Sequence, residues 1–107
     1  MNFKKYSLYI GLNDKDLLKQ IKTMKEYKKI INDELLKNNI NAYSIYNVNG
    51  VFTNNDKITT IEKTLKIEIL NNDILKDDII KIINNLKIKL NQESIMLEYE
   101  VKKVNFI

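Results

Sequence analysis

Three polar runs hold the side chains of this chain that could do chemistry. Asn13, Asp14, Lys15 and Asp16 set two carboxylates, an amide and an ammonium side by side; Asn54, Asn55 and Lys57 form a second cluster; Asn91, Gln92, Glu93 and Ser94 form a third. Such groups hydrogen-bond a polar ligand or the surface of a partner protein. Lys15 and Lys57 could neutralise a phosphate, with Asn13, Asn54 and Gln92 reading a base or ribose. A further set, Tyr9, Glu62, Thr64, Lys66 and Glu68, recurs with strand-like alternation. Paired carboxylates can do acid–base work. The interleaved lysines hold these acids ionised, however, and cross-strand Lys–Glu pairing on an open sheet face is the reading they support.

Composition narrows the chemistry. The 107 residues include no cysteine and no histidine. That removes thiol nucleophiles, zinc–thiolate sites, the commonest general base at neutral pH and the commonest transition-metal ligand. The expectation is therefore a binding protein, not an enzyme, with no metal or cofactor. Gly11 and Gly50 are the only glycines, so no glycine-rich phosphate loop is present. The acids at positions 14 and 16 lack the spacing of a calcium loop.

The formal charge is +4 and every cation is a lysine. Without arginine the chain lacks the bidentate fork that reads guanine and grips phosphate. Tyr9 is the single aromatic placed outward on a central strand, and Glu62 and Glu68 would repel a nucleic-acid backbone. Sequence-specific nucleic acid is thus not the expected partner. No apolar run approaches the ~20 residues of a membrane span, and the N-terminus lacks a signal-peptide pattern. A cytoplasmic location and no membrane partner are expected.

The elements that must position these clusters are legible from periodicity. Tyr6, Leu8, Ile10 and Leu12 alternate with polar residues, marking a half-buried strand, after which Gly11 and Asn13 are read as allowing a bend. Thr23 and Glu26 fit a capping box, so a helix is secure from Met24, while residues 13–22 are either its continuation or an irregular arm. Leu17, Ile21, Met24, Ile31 and Leu35 fall near one face of the longer version, with Tyr27 at its edge. Lys37-Asn38-Asn39 ends it. Asn41 to Phe52 reads as a strand with a bulge or an edge position, and Ile61, Leu65, Ile67 and Ile69 define its hairpin partner. Asn71, Asn72 and Asp73 are N-cap candidates for a second helix, whose stripe is Leu75, Ile79, Ile82, Ile83, Leu86 and Leu90. Ile95, Leu97, Tyr99 and Val101 are the inward residues of a last strand.

The order β-α-β-β-α-β predicts one α+β, ferredoxin-like domain over residues 1–107, with sheet order 4-1-3-2 and both helices on one face. That topology brings the three polar runs to one rim.

Tyr9 to Asp16 together with Gln20, Glu62 to Glu68 and Leu90 to Ser94 resemble small proteins carried by phages and mobile elements of AT-rich bacteria. The resemblance implies a ferredoxin-like fold, no catalytic residues, and an inhibitor, of anti-CRISPR type among others, that binds a host defence complex. A protein partner is expected at the rim, with an anionic nucleotide as the alternative ligand. A homodimer through the open sheet or an edge strand fits either.

Overall fold

The computed structural model describes residues 2–53, 55–71 and 73–107, without the Phe52 side chain. Strand β1 (Asn2–Gly11) is followed by helix α1 (Met24–Lys37), the hairpin of β2 (Ser44–Thr53) and β3 (Thr59–Asn71), helix α2 (Lys76–Lys89) and strand β4 (Met96–Lys103). The sheet order is β2-β3-β1-β4, every pairing antiparallel. This is the ferredoxin-like α+β arrangement that the sequence predicts. No described helix is long and apolar enough to cross a membrane.

Alternation decides the layers. Tyr6, Leu8 and Ile10 of β1 and Leu65, Ile67 and Ile69 of β3 are buried against Tyr27, Ile31 and Leu35 of α1 and Ile79, Ile82 and Leu86 of α2 in one apolar cluster. Removing these side chains from water is the main drive for closing the two layers. Tyr6 also stacks on Tyr99 at 5.3 Å and donates its hydroxyl to the Ile74 carbonyl. The intervening residues, Lys5, Tyr9, Lys66 and Glu68 among them, lie on the uncovered face. Val51 and Ile61 sit opposite one another on the helix side yet are two-thirds exposed.

Several local expectations change. Helix α1 begins at Met24 with the Thr23–Glu26 capping box complete, and Leu17 and Ile21 lie outside it, about half exposed. Tyr27, read as an edge residue, is fully buried. β2 runs in continuous register with β3, so its asparagines and glycine mark an edge strand, with no bulge. Leu75 is the exposed N-cap of α2 and not part of its buried stripe. Asn71 does cap, but ahead of the helix: its Oδ1 accepts from the N–H groups of Asp73 and Ile74. Tyr99 and Val101 face the helix side but remain substantially exposed on the edge strand.

A buried carboxylate ties the helices together. The Glu34 side chain is inaccessible to solvent and accepts from Lys89 Nζ at 2.8 Å, Asn38 Nδ2 at 2.7 Å and Asn85 Nδ2 at 3.4 Å. Burial works to raise its pKa, but the bonds from Lys89, Asn85 and Asn38 outweigh it and hold the group below its ordinary value. A folded value below the unfolded one, about 4.3, means this contribution is whole above that pH and is lost as pH falls through the folded value. Glu34→Gln should lower stability to urea at pH 7 by about 1–3 kcal/mol. It should also flatten the acid limb of the stability–pH curve, and an unchanged limb would remove Glu34 from that role.

Candidate functional site

The loop leaving β1 is built by polar groups that spend themselves on the backbone. Asp14, 5% exposed, accepts at Oδ1 from the N–H groups of Asp16 and Leu17, each at 2.9 Å. Its Oδ2 accepts from Asn91 Nδ2 at 2.9 Å, and the same amide reaches Asp16. The Asn91 bond first, then the two N–H groups, hold the Asp14 carboxyl below the usual range. Gln92 donates Nε2 to the Asn13 carbonyl at 2.7 Å, and the Lys15 N–H donates to the Asn91 carbonyl. Leu18 and Asn91 take left-handed backbone conformations, with φ of 58° and 48°. Asp14, Asp16, Asn91 and Gln92 thus join the β1–α1 loop to the α2–β4 loop.

Tyr27 anchors the loop from below. Its hydroxyl accepts from the N–H groups of Ile21 and Lys22 and donates to the Leu12 carbonyl, all at 3.1 Å. One buried phenol thereby fixes both ends of the 12–22 segment.

Between this loop, the start of the hairpin and the open sheet lies a cavity of about 630 Å³. From the rim it is lined by Asn13, Asp14, Lys15, Gln92, Glu93 and Ser94. From the sheet face come Tyr9, Glu62 and Thr64. Its volume is in the range of small-molecule sites. Asn55 and Lys57 lie at the hairpin turn, outside the cavity lining, as do Lys66 and Glu68 farther down the sheet. Asp16 and Asn91 likewise stand outside the lining. Asn54 lies outside the described residues.

Glu62 occupies the junction of the two sets. Its Oε2 accepts from the Asn13 N–H at 2.9 Å, and its carboxylate rests on Gly11, where any Cβ would overlap it. Gly50 pairs directly with Glu62 across the hairpin. Neither glycine has a positive φ, which corrects the reading that Gly11 is there to allow a bend: its bare backbone admits the carboxylate. Sequence reasoning missed Gly11, Gly50, Leu18, Val51, Thr60 and Met96 as lining residues. A signal was available, since the two glycines of the chain both fall inside strands, where glycine marks a close approach.

The lining is acidic: it includes the three carboxylate residues Asp14, Glu62 and Glu93 and one lysine, Lys15. Down the sheet the charges pair off instead. Lys66 meets Glu68 at 3.0 Å and lies 5.4 Å and 5.8 Å from the ring centroids of Tyr9 and Tyr46. The Lys66–Glu68 bond raises the lysine pKa and lowers the carboxylate's.

Neither a protein-family model nor a curated protein sequence matches this chain. Solved structures do. A phage SAM lyase in complex with S-methyl-5'-thioadenosine is 20% identical, with a TM-score of 0.67 over 92% of this chain and 80% of that one. The GlnK–ATP complex of B. subtilis is 15% identical, with a TM-score of 0.59 over 91% and 82%. CPII, a nitrogen regulatory PII-like protein from Thiomonas intermedia K12 bound to ADP, AMP and bicarbonate, is 10% identical, with a TM-score of 0.60 over 100% and 97%. At these identities the likeness establishes the fold. It also corrects the expectation that the chain is not an enzyme. That exclusion rested on the missing histidine and cysteine, and a lyase is built on this same fold.

The loop anchor is directly testable. Tyr27→Phe leaves two N–H groups and a carbonyl short of a partner, so it should cost about 1–3 kcal/mol of stability. Amide exchange at Ile21 and Lys22 should quicken while the amides of α1 stay protected. Unchanged exchange at those two positions would refute the anchor.

Proposed function

We propose that this chain binds an adenosyl sulfonium of the S-adenosylmethionine class in the Glu62 cavity and cleaves it to the neutral thioether. The observation that carries the reading is the Glu62 carboxylate, seated on Gly11 and held by the Asn13 N–H in a cavity of nucleoside size. With three carboxylates against one lysine, that cavity favours a cation over a phosphate ester. The fold shared with a phage SAM lyase supports it.

The reaction asks little of the protein. A sulfonium is its own leaving group. Breaking the bond from sulfur to the methionine arm returns the electron pair to sulfur, so no proton has to be delivered there. The carbon left behind takes a new bond from the arm's own carboxylate, closing a lactone as the carbon–sulfur bond breaks. This route needs neither histidine nor cysteine. The protein's part is to hold the sulfonium near Glu62 in a reactive shape and keep the ligand oriented.

An anionic nucleotide is the second reading, supported by the nucleotide-bound PII-like neighbours and by Lys15 in the cavity wall. An inhibitor that docks on a host defence complex, the role implied by the resemblance, would have to use the same rim and would compete with the small ligand.

The test is incubation with S-adenosylmethionine, followed by chromatography for S-methyl-5'-thioadenosine and by thermal unfolding. Turnover and a rise in Tm are expected. Glu62→Gln should lower affinity by about tenfold or more through loss of the charge. Gly11→Ala should do the same by displacing Glu62, at a stability cost of about 1 kcal/mol for the Asn13 N–H bond that is lost. A Tm rise with ATP or ADP and none with the sulfonium would favour the second reading, and no response to either class would overturn both.

A further inference from the structure

The sheet carries a second cavity whose character is the reverse of the first. It is an open depression of about 730 Å³ near the far end of the open face, between the α1–β2 connection and the residues that follow β4. Its apolar walls come from Phe3, Leu70 and Phe106, the two phenylalanines meeting edge to face at 5.7 Å. Lys5, Lys102 and Lys103 line it against the carboxylate of Glu68.

That carboxylate is already engaged. Glu68 meets Lys66 at 3.0 Å and Lys5 at 3.2 Å, and accepts from the Tyr46 hydroxyl at 3.1 Å. Lys102 shares Glu100 at 3.3 Å, with both groups nearly half exposed, so that pair binds weakly in water. Among the described residues no ion pair is formed by Lys103. The wall therefore offers unspent positive charge beside aromatic and aliphatic surface. Phe106, three-quarters exposed, is left largely uncovered by the chain itself.

We infer that this cavity binds a small amphiphilic anion, of the medium-chain carboxylate class. Its head group would meet Lys102 and Lys103, and its apolar body would lie against Phe3, Leu70 and Phe106. Charge complementarity selects the anion. The volume and mixed lining fall in the range of small-molecule sites. The site is independent of the Glu62 cavity, since the two share no lining residue.

Octanoate and octan-1-ol, titrated separately into ¹⁵N-labelled full-length protein, form a matched pair of probes that differ in head-group charge. Saturable shifts centred on Phe3, Lys5, Leu70 and Lys103 are expected, with octanoate about tenfold tighter than the alcohol. The doubly substituted Lys102→Glu, Lys103→Glu protein should lose that preference while keeping its Tm. Phe106→Ala should weaken both probes, and this variant remains informative should the double substitution fail to fold. Equal binding of the two probes, shifts centred instead on the exposed Val51–Ile61 pair, or the absence of saturation would each overturn the inference.

Discussion

The site depends on a side chain that is missing. Glu62 lies on an open sheet face, where a carboxylate ordinarily turns to water or pairs with a lysine across the strands. Here it folds down onto Gly11 and takes the Asn13 N–H. Any larger residue at position 11 would occupy the space the carboxylate uses. The end of the central strand is thereby joined to the sheet, and a charged group is held at the mouth of a cavity and not left free in solvent.

Around that contact, polar residues divide into those that build and those that remain available. Asp14, Asn91 and Gln92 have their hydrogen bonds filled by the two loops they join. Tyr27 performs the same task from the core side. Holding loops this way offsets part of the entropy that irregular backbone loses on ordering. What the cavity can offer a ligand is then Glu62, Lys15, Glu93 and the hydroxyl-bearing residues of the sheet. On the proposed reading, preorganisation of this kind would let a chain with no histidine or cysteine act on a sulfonium, because the substrate supplies the leaving group.

The fold was legible because its signals are strong and local. Period-two alternation in Tyr6–Leu12 and Ile61–Ile69 and the Thr23–Glu26 box each point to one structure, and the order of elements brings the β1–α1 and α2–β4 loops together. The candidate site was legible only in part. Asn91 reads from sequence as ligand-facing, yet it stands outside the cavity and serves the loops, while Asp14 lines the cavity and also holds the loop backbone, since an exposed-looking Asn or Asp gives no sign of which backbone group it will meet. Glu62 was placed on the open sheet face, apart from the rim, because the approach of β3 to the end of β1 is a tertiary fact. The exclusion of catalysis fails for another reason: missing residue types do not bar a fold from enzymes, since a lyase is built on this one.

The most direct measurement is a residue-resolved titration of ¹⁵N-labelled protein with S-adenosylmethionine, followed by its backbone amide signals at early time points. Saturable changes are expected, largest at Gly11, Asn13, Glu62 and Thr64, with Asn13 the most sensitive because its N–H is held by the Glu62 carboxylate. Changes centred elsewhere on the molecule, or none at saturating ligand, would rule out the Glu62 cavity as the sulfonium site.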